Sequence, residues 1–211
     1  MPQKYAVYLN RKAIFFNNPQ GIQPQAQELI SIEGKTDATV LKALKHVDNS
    51  LNDSASVFLP DLSLQEGLDI LAKQVKLLEA AGGLVKNSEG KYLFIFRLGM
   101  WDLPKGKAEK GEKPDLTASR EIIEETGVRV GMPDSFLCNT FHMYPLRGKM
   151  ILKKTYWFSF STSDCNQPVP QTEEDISKAV WLDWAEASKA AEVSYPSIQD
   201  VWAASGQLPV T

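Results

Sequence analysis

Apolar and polar residues alternate in short runs over the first third of the chain, and helix-like spacing interrupts these runs twice. Strict alternation predicts strands, and a polar tripeptide between the first two runs predicts a hairpin. The two stripes with apolar residues three or four positions apart predict amphipathic helices, the first capped by Thr36 or Asp37. The predicted strands are 5–9, 13–16, 28–32 and 56–59, and the helical stripes are Val40-Leu41-Leu44-Val47 and Leu64-Leu68-Leu71-Val75-Leu78. Residues 1–78 are therefore expected to form a small α+β N-terminal domain, whose role the pattern does not indicate.

The second of these stripes predicts the best amphipathic helix of the chain. Ser63 and Glu66 have the spacing of a capping box, and the pair Gly82-Gly83 is expected to end the helix. Because five large aliphatic residues share one face, the helix must pack against the rest of the molecule. We therefore expect a fragment that starts at Ala81 to be poorly soluble or less stable.

Residues 79–211 continue with longer apolar and aromatic strands and end in helices. Aromatic residues alternate just after the turn Asn87-Ser88-Glu89-Gly90, which predicts a second hairpin. Further strands are predicted at 136–144 and 150–160, another is predicted to end near Trp181-Leu182, and closing helices are predicted at 185–191 and 197–204. This order is compatible with an α/β domain over 79–211, but the pattern alone does not select one fold.

One helix of this second part carries an unusual set of charges. Pro114 suits the first helical position and Gly127 the position just past the end. Three carboxylates three or four positions apart share one face of the helix: Glu121, Glu124 and Glu125. Such pairs repel by roughly 0.2–0.5 kcal/mol each, so helix stability alone does not explain them. A divalent cation would, because Mg²⁺ and Mn²⁺ take hard oxygen ligands; the alternative is a solvated acidic face with Arg120 as counter-charge.

The stretch from Gly106 to Val128 resembles the Nudix box, G-x5-E-x7-R-E-U-x-E-E-x-G-U with U aliphatic, and every fixed position is filled. The residues that fill it are Gly106, Glu112, Arg120, Glu121, Ile122, Glu124, Glu125, Gly127 and Val128. The resemblance implies the Nudix fold, an α/β/α sandwich with a mixed sheet, over about residues 81–192. It also implies hydrolysis of a nucleoside diphosphate linked to another moiety, or of a related pyrophosphate, by attack of water on phosphorus.

The same resemblance implies roles for individual residues. The expected ligands of Mg²⁺ or Mn²⁺ are Glu121 and Glu125 foremost, then Glu124, Glu112 and the carbonyl of Gly106. Arg120 is expected to hold the carboxylates by charge-assisted hydrogen bonds. In the late acidic loop Glu173 and Glu174 resemble a carboxylate that several Nudix families use as metal ligand or general base, and an ordinary solvated loop is the alternative.

Four residues at or just before the start of the box are candidates for substrate binding. Lys105 and Lys107 flank it as point charges suited to phosphate oxygens, although lysines beside an acidic loop are often simply exposed. Arg97, at a strand end, is a similar candidate. Trp101 could stack on a base, with packing in the core as the favoured alternative.

Composition changes the picture mainly by exclusion. The chain has 211 residues, 43% of them hydrophobic, yet no apolar run approaches the roughly 18 residues of a membrane span. Its first residues lack a signal-peptide pattern, so we expect a cytoplasmic protein. A net charge of −3 argues against nucleic acid as partner and leaves a small phosphorylated metabolite or nucleotide. Cys138 and Cys165 have no metal-binding spacing, and the N-terminal domain is a candidate for a homodimer contact.

Two classes of function fit these features. A hydrolase is favoured over a non-catalytic, nucleotide-sensing Nudix module, because the chain keeps all four box glutamates. Isomerisation of an isoprenoid diphosphate is disfavoured, since no cysteine is placed for it. The approach segment Trp101-Asp102-Leu103-Pro104-Lys105-Gly106-Lys107 is similar to that of relatives acting on dinucleoside polyphosphates, diphosphoinositol polyphosphates or capped RNA. A dinucleoside polyphosphate is therefore the first substrate hypothesis, with ADP-ribose or a nucleoside triphosphate next.

Overall fold

The computed structural model describes residues 5–17, 28–52 and 55–206. In chain order its elements are β1 (Ala6–Leu9), β2 (Lys12–Asn17), β3 (Glu28–Ser31), α1 (Asp37–Asn49), β4 (Ala55–Ser63), α2 (Leu64–Ala72), β5 (Lys76–Asn87), β6 (Tyr92–Arg97), β7 (Met100–Asp102), β8 (Lys105–Lys107), α3 (Pro114–Thr126), β9 (Ser135–Leu146), β10 (Lys149–Thr162), a 3₁₀ turn (Thr172–Glu174), β11 (Ile176–Leu182), α4 (Trp184–Glu192) and α5 (Pro196–Ala204). Most predicted strands and helices are present with shifted boundaries.

Contacts divide the chain into two units. Among the described residues, the larger unit comprises Glu79–Thr140 and 154–206, and the smaller unit comprises those from 5 to 78 together with Phe141–Lys153. The structure thus assigns Phe141–Lys153, the turn end of the β9–β10 hairpin, to the smaller unit. The sequence pattern places the whole hairpin in the second domain.

Helices cover both faces of the sheet in the larger unit. The sheet has the order β11-β6-β5-β10-β9, with β7 beside β6 and β8 beside β5. Leu84 and Phe94 pack with α4 and α5, whereas their strand neighbours Val85 and Leu93 pack with α3. Because successive side chains of a strand point to opposite faces, these two clusters lie on opposite sides of the sheet. The predicted α/β/α sandwich is confirmed.

The smaller unit has its own core. The strands β1 and β2 form the predicted antiparallel hairpin, β4 lies parallel to β2, and β3 lies parallel to β4. Helices α1 and α2 contribute Val40, Val47 and Leu71 to this core, and the hairpin from β9 and β10 contributes Phe141 and Leu152. The α+β organisation predicted for the N-terminal part is present.

The second helix is shorter than predicted. It ends at Ala72, and Leu78 belongs to β5 instead of extending the helical stripe. This segment forms a strand because part of it pairs with β8, so tertiary context overrides the local periodicity. The pair Gly82-Gly83 lies within β5 and does not end a helix. A Cβ on the first of them would lie 2.3 Å from the carbonyl oxygen of Pro104, so glycine is needed for close strand packing.

The closing helices α4 and α5 agree with the prediction to within one residue at each boundary. The late acidic loop contains a 3₁₀ turn followed by Asp175 in the left-handed region (φ 61°). Among the residues that the structure describes, no helix is both long and apolar enough to cross a bilayer.

Candidate active site

The site is built on α3, whose boundaries are those predicted. Pro114 begins the helix, and Gly127 ends it with a left-handed backbone (φ 69°) and an N–H that donates to the carbonyl of Ile123 over 2.8 Å. Ala118 and Ile122 are fully buried against the sheet. Burial of this stripe fixes the rotation of the helix, and α3 lies against β8, the short strand that contains Gly106.

Arg120 joins three of the box carboxylates. Its Nε and Nη2 donate to the two oxygens of Glu112 over 2.9 and 2.8 Å. Its Nη1 donates to Glu121 and Glu124 over 2.8 Å each, and Nη2 also donates to the carbonyl of Lys107 over 3.1 Å. The two-pronged contact with Glu112 is the geometry that guanidinium makes with carboxylate. Arg120 therefore ties the loop of the box to its helix.

These contacts set the protonation of two glutamates in opposite directions. Hydrogen bonds from Arg120 above all lower the pKa of Glu112 to about 2, and the N–H of Glu109 and the hydroxyl of Thr117 add to the effect. Glu121 is different, because burial raises its pKa above the ordinary value although Arg120 opposes the change. Glu112 is thus ionised, and both of its oxygens accept hydrogen bonds from Arg120. For Glu121, the contact with Arg120 does not fully offset the cost of burying the charge.

Glu125 is the most buried glutamate of the box, with 1% of its side chain exposed. Its Oε2 accepts a hydrogen bond from the backbone N–H of Lys105 over 2.8 Å, and its Oε1 lies 4.0 Å from Nη1 of Arg97. Burial raises the pKa of Glu125 to about 7 against the opposing effect of Lys105. A desolvated carboxylate of this kind is stabilised as an anion by a nearby cation.

The oxygen donors at this site fit a hard divalent cation. A Cβ on Gly106 would lie 1.9 Å from Oε2 of Glu121, so the backbone approaches this carboxylate more closely than any other residue would permit. Within the described part of the chain, no three Asp, Glu, His or Cys side chains lie close enough together to form a metal-binding cluster by themselves. Mg²⁺ does not need one, because it retains waters and shares a few carboxylates with substrate phosphates. The residues that could hold it are Glu121, Glu124 and Glu125, with Glu112 engaged by Arg120.

The late loop is attached to the C-terminal end of α3 by backbone hydrogen bonds. The N–H of Val169 donates to the carbonyl of Thr126 over 2.8 Å, and the N–H of Gln171 donates to the carbonyl of Glu125 over 3.1 Å. These bonds satisfy two of the carbonyls that every helix end leaves open. They also bring the acidic turn to the helix that contains the glutamates.

One carboxylate of that turn enters the site. Glu174 accepts a hydrogen bond from Nη2 of Arg97 over 3.1 Å, and Arg97 therefore lies between Glu174 and Glu125. Glu173 and Glu174 are both exposed on this turn. The sequence leaves the choice between the two glutamates open, and the folded turn brings Glu174 against Arg97.

The other residues predicted to bind substrate differ in exposure and in their contacts. The Lys105 ammonium lies 2.7 Å from Oδ2 of Asp102 and is largely buried, whereas Lys107 is exposed. Trp101 is half-buried and meets Phe96 edge to face, with ring centroids 5.1 Å apart. Sequence reasoning missed Asp102; the available signal was its i,i+3 spacing to Lys105 across a proline-containing turn.

The fold and the site together define a Nudix-type domain, in which a loop and helix rich in glutamate lie against a sheet between helices. The model of the NUDIX domain matches residues 76–201, which is more than half of the chain. The chain belongs to the Nudix hydrolase family, as the sequence analysis predicted.

Individual relatives agree with this assignment. The chain is 42% identical over 53 residues to a MutT-like protein from Streptomyces ambofaciens, covering 24% of this chain and 34% of that protein. It is 36% identical over 77 residues to an ADP-ribose pyrophosphatase from Bacillus subtilis strain 168, covering 34% of this chain and 42% of that one. The chain thus spans about a third to two fifths of the length of these relatives. The crystal structure of a MutT protein from Methanosarcina mazei Go1 has a TM-score of 0.50 at 18% identity, covering 63% of this chain and 96% of that chain.

Proposed function

We propose that this protein is a metal-dependent pyrophosphohydrolase that cleaves a nucleoside diphosphate linked to another moiety. The observation that carries the proposal is the arrangement of the helix glutamates around β8: Arg120 bridges Glu121 and Glu124, Glu121 lies against Gly106, and Glu125 accepts the N–H of the preceding Lys105. A bound Mg²⁺ or Mn²⁺ supplies an activated water and neutralises charge that develops on the phosphates.

The protein's own groups divide the remaining work. Glu121 and Glu125 are the main candidate ligands, and the half-exposed Glu124 is a further candidate that would contact the ion or its waters. Arg120 holds Glu112 and Glu121 in position, which preserves the geometry before substrate binds. Glu174 is the candidate acceptor of the proton from water, because it is half-exposed and lies beside Arg97.

The test of this proposal is hydrolysis by Glu121→Gln and Glu125→Gln in the presence of Mg²⁺. Each substitution preserves side-chain size and removes ligand charge, so we expect the rate to fall by at least about 100-fold with the circular dichroism spectrum unchanged. Glu192→Gln, at the exposed end of α4, is the matched control and should behave as the parent. Full activity of both site variants, or of the parent in excess chelator, would refute the proposal. A parent that binds nucleotides without hydrolysing them would instead be a sensing module.

The late loop provides a second test of the same proposal. We expect Glu174→Gln to lower kcat much more than Glu173→Gln, because Glu174 accepts a hydrogen bond from Arg97, which also lies beside Glu125. Equal and mild effects of the two substitutions would make the turn an ordinary surface loop.

The first candidate substrate is a dinucleoside polyphosphate. The approach segment of the box supports it, and Lys107 supplies an exposed positive charge beside the site. Lys105 adds little to this argument, because its charge is paired with Asp102. The second candidate is ADP-ribose, which is favoured by the name of the Bacillus subtilis relative. If kcat/KM for diadenosine tetraphosphate is well below that for ADP-ribose, ADP-ribose becomes the first candidate substrate.

A further inference from the structure

We propose that the buried ion pair between Asp102 and Lys105 is a positioning device for the carboxylate of Glu125, and that Lys105 does not contact the substrate. The inference rests on the proposed function, because it assigns Glu125 to the metal site. Neither residue of the pair belongs to the Nudix box.

The pair closes a buried turn. The Nζ of Lys105 lies 2.7 Å from Oδ2 of Asp102, and the two side chains are only 13% and 7% exposed. At this distance the two charged groups form an ion pair. The other carboxylate oxygen, Oδ1, accepts the N–H of Leu103 over 2.8 Å. Both oxygens of Asp102 are therefore used within the turn.

The backbone on either side of the turn is fixed by strand pairing. Asp102 pairs with Ile95 in β6, and Lys105 pairs with Gly82 in β5. The N–H of Gly83 donates to the carbonyl of Pro104 over 3.1 Å, and a Cβ on Gly82 would collide with that carbonyl. The turn thus has little room to shift.

Lys105 connects this turn to the site because its ammonium and its backbone N–H contact different carboxylates. Its ammonium is bound to Asp102, while its backbone N–H donates to Oε2 of Glu125 over 2.8 Å. An anchored side chain limits rotation of the backbone at the same residue, and this keeps the N–H directed at Glu125. Groups that orient a metal ligand in this way typically change metal affinity by about 10–100-fold when removed.

Charge and burial explain why the ammonium remains in place. A buried cation without a partner is strongly unfavourable, so Lys105 cannot exchange Asp102 for a distant phosphate without cost. Asp102 supplies that partner at 2.7 Å, inside the turn. Lys105 is therefore a charged residue that faces inward.

The experiment measures Mn²⁺ binding to the full-length protein without substrate, by electron paramagnetic resonance, alongside thermal unfolding. The variants are Lys105→Met, Asp102→Asn and the double variant, with Lys91→Met, from the exposed pair with Glu89, as the control. We expect each site variant to weaken Mn²⁺ binding by about 10–100-fold and the control to match the parent. The double variant should recover stability, because it leaves no unpaired buried charge, but it should not recover Mn²⁺ affinity.

Several results would overturn the inference. If Lys105→Met binds Mn²⁺ as the parent does but raises KM for diadenosine tetraphosphate, Lys105 contacts substrate. If the double variant regains both stability and Mn²⁺ affinity, the pair has only a structural role. In either case loss of Mn²⁺ binding in Glu125→Gln would leave the proposed function intact, whereas a parent that binds no Mn²⁺ would overturn both.

Discussion

Single residues decide how the box glutamates differ from one another. Glu112 is held by Arg120 at a lowered pKa, and Glu125 is buried with a pKa raised to about 7. The sequence alone predicted that Glu121, Glu124 and Glu125 share one face of α3, because the i,i+3 and i,i+4 spacing of a helix requires it. It could not predict their environments, since burial and the contact with Lys105 depend on β8.

At this scale we predict that Gly106→Ala abolishes most of the activity without unfolding the protein. The added methyl group would lie 1.9 Å from Oε2 of Glu121, so the carboxylate must move. The measurements are Mn²⁺ affinity and kcat, both of which should fall by at least about 10-fold. Gly131→Ala is the control, because no atom lies within 4 Å of its added Cβ and its φ is not positive. Similar activity of the two variants would show that Gly106 has no close contact with the site.

The two cysteines provide a second prediction at the residue scale. Burial raises the pKa of Cys138 to about 12, so its thiolate is scarce near neutral pH, whereas Cys165 is half-buried. Titration of the native protein with a thiol reagent at pH 8 should label Cys165 alone, and denaturation should release the second thiol. Rapid labelling of Cys138 in the native state would contradict the burial of this residue in β9.

Among the elements, helices with strong end signals were predicted best. Helix α3 has the predicted boundaries because Pro114 and Gly127 have local conformational reasons for their positions. Helix α2 begins as predicted at Ser63 but ends ten or so residues early. The predicted end relied on apolar periodicity. The pairing of β5 with β8 is a non-local contact, so the periodicity of one segment cannot predict it.

The start of α2 supplies the prediction at the element scale. The hydroxyl of Ser63 accepts the N–H of Glu66, and the Glu66 carboxylate accepts the N–H of Ser63 over 2.8 Å, so the predicted capping box is confirmed. We expect Ser63→Ala to lower the free energy of unfolding by about 1 kcal/mol, measured by urea denaturation. Ser63→Asp should retain most of the stability, because aspartate also caps. An unchanged free energy in Ser63→Ala would show that α2 is fixed by packing alone.

At the scale of the whole molecule, the division of the chain into units was predicted only in part. A boundary close to residue 78 follows from the sequence, but the assignment of Phe141–Lys153 to the smaller unit does not. The apolar residues of that hairpin fit any buried strand, so nothing local indicates which core they enter. The cytoplasmic location and the homodimer contact remain predictions.

This division sharpens the prediction for a fragment that starts at Ala81. Such a fragment keeps the hairpin but removes the core into which Phe141, Met143 and Leu152 pack. Each side chain loses about 1.5–3 kcal/mol of burial energy, so the fragment should aggregate or melt at a lower temperature than the intact chain. Replacing the three residues by threonine in the fragment should restore solubility. A fragment that is equally stable without these replacements would show that the smaller unit is not required.

The central claim, that the box glutamates direct water onto phosphorus, is tested most directly by hydrolysis in ¹⁸O-labelled water. Mass spectrometry of the products from diadenosine tetraphosphate and ADP-ribose identifies the atom that was attacked. We predict ¹⁸O in a phosphoryl product of the parent with Mg²⁺, and almost none with excess chelator or in Glu125→Gln. Labelled product at the parental rate in Glu125→Gln, or label at carbon instead of phosphorus, would contradict the account.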